Sequence, residues 1–169
     1  MRVPFHRLRA PLLFLLLVFL PCQAWAWDAQ IVSVHDGDTI TVRRTDSGQK
    51  VKIRLYGIDC PELPGRSWGA QPYSKKARNF LRGILPVGGR ASVLDMGCDK
   101  YSRTVAGVVS LPDGAVVQEK LLEEGLAWVY PKYCPDCRQW RELERQAKED
   151  RRGLWREKTP MPPWEWRRR

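Results

Sequence analysis

The sequence predicts an α+β fold that is mainly β, a five-stranded OB-type barrel with about three helices. Two observations predict it. Short runs in which apolar and polar residues alternate, with turn residues between them, fill residues 30–111, as in an antiparallel sheet. Apolar residues at helical spacing recur between the third and fourth of these runs and again after the fifth. A chain of 169 residues can form one such domain with its own core.

The strands follow from the alternation, which is clearest in the third of them. Val51, Ile53 and Leu55 alternate with polar residues there and form one apolar face. Arg54 therefore lies on the polar face, away from the core. The predicted strands are residues 31–34, 39–43, 51–55, 91–94 and 104–111, with a turn at 45–48.

Apolar residues at helical spacing predict three amphipathic helices. The first covers residues 71–85, the second ends near Gly125, which suits a helix C′ position, and the third ends near Gly153. The apolar positions in the three helices are, in turn, Ala77, Phe80, Leu81 and Ile84; Val117, Leu121 and Leu122; and Trp140, Leu143, Ala147 and Leu154.

Residues 159–169 form a tail of different composition. Three prolines there predict that the tail has no regular structure. Trp164 and Trp166 stand beside three arginines, 167–169, so they could stack on nucleic-acid bases while the arginines hold phosphates. Packing of both rings on the domain is favoured instead, because a large exposed apolar ring normally finds cover.

The N-terminal residues have the pattern of a secretory signal peptide. Three arginines precede an apolar run at 12–20, and residues 24–26 give an A-x-A cleavage pattern. The run is short for a bilayer span, so no stable membrane insertion is expected after cleavage. Cys22 would allow a lipoprotein signal, but Pro21 stands where a small residue is expected. The predicted organisation is a signal peptide at 1–26, a domain at 27–158 and the tail, in an exported, periplasmic or secreted monomer.

The chain is basic. Its formal net charge is +10, and removal of residues 1–26 leaves about +7, because three arginines and no acidic residue are lost. Such a surplus attracts polyanions such as nucleic acid. It fits simple solubility, or adhesion to an anionic envelope, equally well.

Three short motifs in series indicate the chemistry. They are Asp-Gly-Asp-Thr at 36–39, Arg-Leu-Tyr-Gly-Ile-Asp-Cys-Pro-Glu at 54–62 and Asp-Lys-Tyr-Ser-Arg at 99–103. Carboxylates can hold a hard metal ion and activate water, and arginines can take the charge of a phosphate and of its transition state. A single Asp-Gly would be ordinary turn chemistry. The series predicts a site that cleaves phosphodiester bonds.

On these motifs the chain resembles the thermonuclease family, typified by staphylococcal nuclease, over residues 31–155. Gly-Leu-Ala at 125–127 and Gly-Leu-Trp at 153–155 also agree, and the Pro-Pro-Trp-Glu-Trp tail looks like that of exported bacterial members. The resemblance implies a calcium-dependent endonuclease that hydrolyses DNA and RNA with low sequence specificity.

The resemblance also implies roles for the acidic residues. Asp38 and Asp59 correspond to the ligands of Ca²⁺, with the backbone carbonyl of Cys60 as a third oxygen, a donor set that suits a hard cation. Glu62 corresponds to the general base that orients or deprotonates the attacking water. Asp36 is interpreted as a turn cap.

Basic and aromatic residues complete the implied site. Arg54 and Arg103 correspond to the two arginines that bind the phosphate and its transition state. Ser102 replaces the usual glycine of the family, which adds modest strain if that turn needs a positive φ. The candidate substrate-binding residues are Lys100 and Tyr101, near a terminal phosphate, and Tyr130 and Tyr133, between which the sequence does not choose as the stacking residue.

Four cysteines follow the predicted signal peptide, and an even number in an exported chain favours disulfides. Cys134 and Cys137 are expected to form a local bridge. Cys60 and Cys98 then form a second pair or remain free. A zinc site using all four thiolates is disfavoured, because His35 is the only histidine after residue 26 and only one C-x-x-C is present.

Two readings rival the nuclease. One is an OB-fold module that captures nucleic acid without cutting it, for which the full set of carboxylates and arginines would be unnecessary. The other is a structural envelope protein, which would show neither nucleic-acid affinity nor any effect of metal.

Overall fold

Seven strands are present in the computed structural model, which describes residues 26–98 and 104–169. Five of them form a closed barrel, and the other two form a separate small sheet. The strands are β1 (Ala26–Val34), β2 (Thr39–Arg44), β3 (Lys50–Leu55), β4 (Ile58–Asp59), β5 (Arg90–Cys98), β6 (Val105–Ser110) and β7 (Trp128–Val129).

The barrel confirms the predicted five-stranded OB-type fold, with strand order β1-β2-β3-β6-β5. Four of its pairings are antiparallel, but β3 and β6 run parallel, which the expectation of an antiparallel sheet did not include. The chain between these two strands returns through a helix and β5, so β6 enters in the same direction as β3. Gly107 faces Leu55 in this pairing, and a Cβ there would lie 2.9 Å from Val93 Cγ1. A glycine is therefore needed where the barrel closes.

The barrel interior is filled by β-branched and leucine side chains. Ile53 and Leu55 are buried while Arg54 between them reaches the surface, so the predicted polarity of β3 is confirmed. The other strands supply the same kind of inward residue, since alternate positions of a strand face the same side. The apolar residues of the barrel strands that are at most 1% exposed are Ala29, Ile31, Ile40, Val42, Ile53, Leu55, Val93 and Val109.

The three predicted helices are present. They are α1 (Ser74–Ile84), α2 (Val117–Glu123) and α3 (Arg138–Glu149), and a 3-10 helix follows at Gly153–Arg156. The predicted end of the third helix near Gly153 is wrong, because α3 ends at Glu149. Arg151 and Gly153 adopt positive φ and turn the chain, and the N–H of Leu154 then donates to Gly125 O at 2.8 Å. The chain passes Gly125 so closely that a Cβ on Gly153 would lie 2.1 Å from that oxygen.

The tail contains a short helix, α4 (Pro163–Trp166), so the prediction that it has no regular structure is wrong. Pro163 occupies the first helical position, where the missing N–H has no partner to lose and the fixed φ already suits a helix. The predicted packing of the tail tryptophans is confirmed. Trp164 stacks on Tyr130 with centroids 4.8 Å apart, and Trp166 Nε1 donates to Gly69 O at 2.9 Å.

Within residues 26–98 and 104–169, no helix is both long enough and apolar enough to cross a bilayer. The predicted signal peptide lies outside the described residues except for Ala26. The third motif, residues 99–103, also lies outside them, and with it Lys100, Tyr101, Ser102 and Arg103.

Candidate active site

Two turns at one end of the barrel bring the candidate acidic residues together. Asp38 follows β1 and its backbone carbonyl accepts the N–H of Leu55, at the end of β3, at 2.8 Å. Asp59 lies in β4, where pairing with Trp128 of β7 fixes its backbone. This small sheet was not predicted, because two-residue strands carry no periodicity. It places Asp59 beside Asp38 although 20 residues separate them.

Asp38 is fixed by several hydrogen bonds. Its Oδ2 accepts the backbone N–H of Cys60 at 2.8 Å, and its Oδ1 accepts the hydroxyl of Thr39 at 3.2 Å. Asp36 Oδ1 accepts the backbone N–H of Asp38 at 3.0 Å, which confirms the interpretation of Asp36 as a turn cap. Burial raises the pKa of Asp38 well above its usual value, and the positive charge of Arg54 opposes this rise.

Arg54 bridges the two buried aspartates. Its Nη1 lies 2.8 Å from Asp38 Oδ1, and its Nη2 pairs with Asp59 Oδ1. Burial acts to lower the pKa of Arg54, but the two carboxylates outweigh burial and raise it, so the guanidinium stays charged. The side chain remains about one third exposed and can also reach a ligand in solvent.

Glu62 lies in the loop after β4, and Gln71 holds its backbone. The N–H of Glu62 donates to Gln71 Oε1 at 3.0 Å, and the N–H of Gln71 donates to Glu62 O at 2.8 Å. Gln71 Nε2 donates to Met161 O in the tail at 2.7 Å. No pattern in the sequence points to Gln71, because one glutamine at the start of a helical pattern belongs to no motif.

The tail supplies an unexpected basic residue to the site. Arg167 Nη2 lies 2.8 Å from Asp59 Oδ2, Nη1 lies 3.2 Å from Asp59 Oδ1, and Nη1 also pairs with Glu62 Oε1. Burial raises the pKa of Glu62, and Arg167 opposes that rise. The three adjacent arginines of the tail were visible in the sequence, but nothing distinguished the one that reaches the carboxylates.

The donor set fits a hard cation. Asp59 is fully buried, yet its two oxygens pair with the guanidinium groups of Arg54 and Arg167, so this position strongly favours positive charge. Two carboxylates with a backbone carbonyl at Cys60 would supply oxygen ligands only, with water completing the shell. In the described part of the chain no three His, Cys, Asp or Glu side chains cluster closely enough to hold a metal by themselves. A site of this composition would bind its ion weakly.

The thiol of Cys60 is not available as a ligand. It is buried and free, and it donates to Gly37 O at 3.2 Å. Burial raises its pKa well above the usual value, which disfavours the thiolate that a metal requires. Cys134 and Cys137 form the predicted disulfide, which rules out a zinc site using all four thiolates.

A cleft of about 560 Å³ opens beside these charges. Arg54, Glu62 and Arg167 line it together with Tyr130 and Tyr133, so one space joins the candidate phosphate ligands to the candidate stacking rings. Trp164 covers a face of Tyr130, while Tyr133 is 52% exposed and meets Tyr130 edge-on at 4.9 Å. Of the two tyrosines, Tyr133 is the better placed to stack on a ligand. Gly97 and Thr104, on either side of residues 99–103, also line the cleft.

Known proteins resemble this chain over most of its length. A sequence model of the family described as staphylococcal nuclease homologue matches residues 52–157. An Escherichia coli protein described as an uncharacterized endonuclease is 36% identical over 140 residues, which cover 83% of this chain and 84% of that protein. The micrococcal nuclease of Shigella flexneri is 33% identical over 162 residues, 90% of this chain and 87% of its own. Staphylococcal-like nuclease CAN1 of Arabidopsis thaliana is 37% identical over 123 residues, 71% of this chain but 34% of that longer protein.

Proposed function

Since the chain belongs to the staphylococcal nuclease family of hydrolases, we propose that it is an exported endonuclease that uses calcium to hydrolyse DNA and RNA with low sequence specificity. The observation that carries the proposal is the arrangement of Asp38, Arg54, Asp59 and Glu62. They lie within hydrogen-bonding reach of one another or of shared partners. Arg54 and Glu62 line the cleft, and the buried Asp38 and Asp59 pair with Arg54 at its wall. The family is generally metal-dependent, and calcium is the hard divalent cation that such oxygen ligands suit.

Asp38 and Asp59, with the carbonyl of Cys60, would hold the cation. When bound there it supplies positive charge that favours ionisation of a water and neutralises a phosphate oxygen. Arg54 forms ion pairs with the same two carboxylates, and the exposed part of its side chain lines the cleft. Its guanidinium binds a phosphoryl oxygen and remains charged as negative charge grows on the five-coordinate phosphorus, so it stabilises the transition state more than the substrate.

Glu62 is the group that accepts a proton. Its carboxylate lies at the wall of the cleft, and the backbone hydrogen bonds to Gln71 fix where it stands. A water hydrogen-bonded to it would lose its proton to the carboxylate as the new P–O bond forms. The P–O bond to the sugar oxygen then breaks, and that oxygen takes a proton from solvent and leaves as the alcohol. The ligands of these contacts are phosphates and base rings, which every nucleic-acid sequence has. The enzyme should therefore have low sequence specificity.

The first test measures cleavage of single-stranded DNA by the purified protein with added calcium and with chelator. We expect calcium-dependent cutting that falls by roughly 10²–10³-fold in Arg54→Ala, the loss typical for one preorganised donor to a developing oxyanion. Tight binding without cutting in both conditions would instead support the capture module. Absence of both would support the structural envelope protein.

The export proposal has a separate test. Cell fractionation should place the protein outside the cytoplasm, and N-terminal sequencing should begin at Trp27. Cys22→Ser should leave both results unchanged, whereas a lipoprotein would be retained in the cytoplasmic membrane as an unprocessed precursor.

A further inference from the structure

We propose that Arg167 is a third substrate-binding arginine, which the tail places in the cleft to contact the phosphodiester beside Arg54. The proposal rests on the nuclease function above and deepens it, because it assigns a residue outside the three sequence motifs to the reacting phosphate.

The position of Arg167 mirrors that of Arg54. Arg54 bridges Asp38 and Asp59, and Arg167 bridges Asp59 and Glu62. Both guanidinium groups donate to the same atom, Asp59 Oδ1, so they stand next to each other across that oxygen. Both line the same cleft, and neither is fully buried. A phosphate bound by one of these two arginines could therefore also contact the other arginine.

The contact with Glu62 places Arg167 close to the chemistry. Glu62 is the proposed acceptor of the proton from the attacking water, and that water must approach the phosphorus within the cleft. A guanidinium paired with the Glu62 carboxylate is within one hydrogen-bond length of that path. Its planar fork offers paired donors to phosphoryl oxygens, as it does here to carboxylate oxygens.

The tail holds Arg167 in place before any ligand binds. Trp164 stacks on Tyr130 with an interplanar angle of 3°, and Trp166 is hydrogen-bonded to Gly69. The backbone N–H of Arg167 donates to Pro163 O at 3.1 Å, which continues α4 into the arginine. Gln71 fixes the start of the tail through Met161. Placement of this kind lowers the entropy cost of binding a phosphate.

The charge of the site supports the same role. Asp36, Asp38, Asp59 and Glu62 with Arg54 and Arg167 leave two negative charges in excess, which a divalent cation at the aspartates would balance. Without Arg167 the same group would keep one negative charge even with the cation, and it would repel a phosphodiester.

The same contacts permit a rival role. Arg167 pairs with both oxygens of Asp59. If it stayed there, it would act as a plug that keeps the cation from binding to this carboxylate. A plug and a substrate ligand predict opposite effects of removing the side chain, since loss of a plug raises activity and loss of a ligand lowers it.

The experiment compares Arg167→Gln with Arg168→Gln. Arg168 is the adjacent arginine of the tail and is exposed, so the control removes the same charge from nearly the same place. The first readout is the dissociation constant of a single-stranded phosphorothioate oligonucleotide, which keeps its negative charges and resists cleavage, measured with calcium over a range of salt concentrations. Each phosphate contact contributes about 0.7 to the slope of log K against log salt for single strands. The second readout is kcat/KM with calcium.

We expect Arg167→Gln to reduce the salt slope by about 0.7 relative to Arg168→Gln, and to reduce kcat/KM by roughly 10²-fold, as for one transition-state donor. Arg167→Lys, which keeps the charge but loses the fork, should restore the slope and only part of kcat/KM. Equal melting temperatures for the two glutamine variants would show that the tail still docks, and the lysine variant tests the role even if the glutamine variant unfolds.

Equal slopes and equal kcat/KM in the two glutamine variants would overturn the proposal, and faster cleavage by Arg167→Gln would overturn it in favour of the plug. Failure of the nuclease function looks different. In that case the unaltered protein would not cut DNA with calcium, while the binding comparison would still decide whether Arg167 contacts the phosphate.

Discussion

The side chain of Gln71 accepts the backbone N–H of Glu62 at 3.0 Å, and the same amide donates to Met161 O in the tail at 2.7 Å. Gln71 is only 6% exposed, so water does not replace these partners readily. One amide therefore ties the proposed proton acceptor to the segment that carries Arg167. Neither end of this connection can move without breaking a part-buried hydrogen bond.

Gln71→Ala should therefore damage both stability and activity. The N–H of Glu62 loses its partner in a part-buried position, at a cost of about 1–3 kcal/mol in the free energy of unfolding. We also expect a lower kcat, because Glu62 and the tail lose their shared support. Urea unfolding and kcat measure the two effects. Gln139→Ala removes an exposed glutamine and serves as the control; equal effects in both variants would contradict the role of Gln71.

Glu62→Gln should abolish most turnover but spare the fold. The amide keeps the shape of the side chain but cannot accept the proton, and general base catalysis typically contributes roughly 10²–10⁴-fold. DNA binding and the melting temperature should change little. Glu157→Gln, at an exposed position, is the matched control. Turnover in Glu62→Gln equal to that control would remove Glu62 from the mechanism.

Asp59→Asn should weaken calcium binding, because one of the two carboxylate ligands loses its charge. Titration calorimetry with calcium should show an affinity lower by roughly 10–100-fold or more. Asp36→Asn is the control, since Asp36 only caps the turn and an asparagine oxygen can still accept the N–H of Asp38. Similar losses in both variants would mean that general charge near the turn, and not ligation, sets the affinity.

Gly57→Ala should destabilise the protein more than Gly48→Ala. Both glycines have φ near +70°, so each alanine costs about 1 kcal/mol of backbone strain. At Gly57 the new Cβ would also lie 2.8 Å from Cys134 Sγ and 2.8 Å from Trp140 Cζ3, which adds about 1–3 kcal/mol of overpacking. Nothing lies within 4 Å at Gly48. Equal unfolding free energies for the two variants would show that this contact relaxes without cost.

The thiol of Cys60 should resist alkylation in the native protein. It is 3% exposed, and burial raises its pKa, so little reactive thiolate exists at about pH 8. The thiolate becomes a major species only when the pH approaches that higher pKa. Peptide mass mapping after iodoacetamide treatment should find Cys60 unmodified until denaturant unfolds the chain. Rapid modification under native conditions would show that the core around Gly37 opens.

The barrel could be predicted because its strands obey a regular alternation, as β3 shows with Ile53 buried and Arg54 partly exposed. The small sheet could not be predicted, since β4 and β7 have two residues each and their pairing depends on the tertiary fold. The helix α4 was missed because its prolines were interpreted as breakers, although Pro163 begins the helix.

Some residues of the candidate site could also be predicted from the sequence, and others could not. Asp38, Arg54, Asp59 and Glu62 could be found because they stand in short motifs, and the structure brings all four together. Arg167 could not be singled out, because three consecutive arginines have the same local chemistry. The orientation of α4, which begins at Pro163, determines which of the three arginines contacts Glu62.

Some residues of the candidate site are close together in the sequence and others are far apart, and this difference implies an order of events in folding. Asp38, Arg54 and Asp59 come from one hairpin and its exit, which local contacts can form early. The parallel pairing of β3 with β6 is non-local, and the pair of Arg167 with Glu62 joins residues 105 positions apart. A partly folded chain would thus carry the acidic residues without a working cleft. Catalytic activity should be among the last properties to return during refolding, so a chain that is still unfolded poses little danger to the nucleic acid around it.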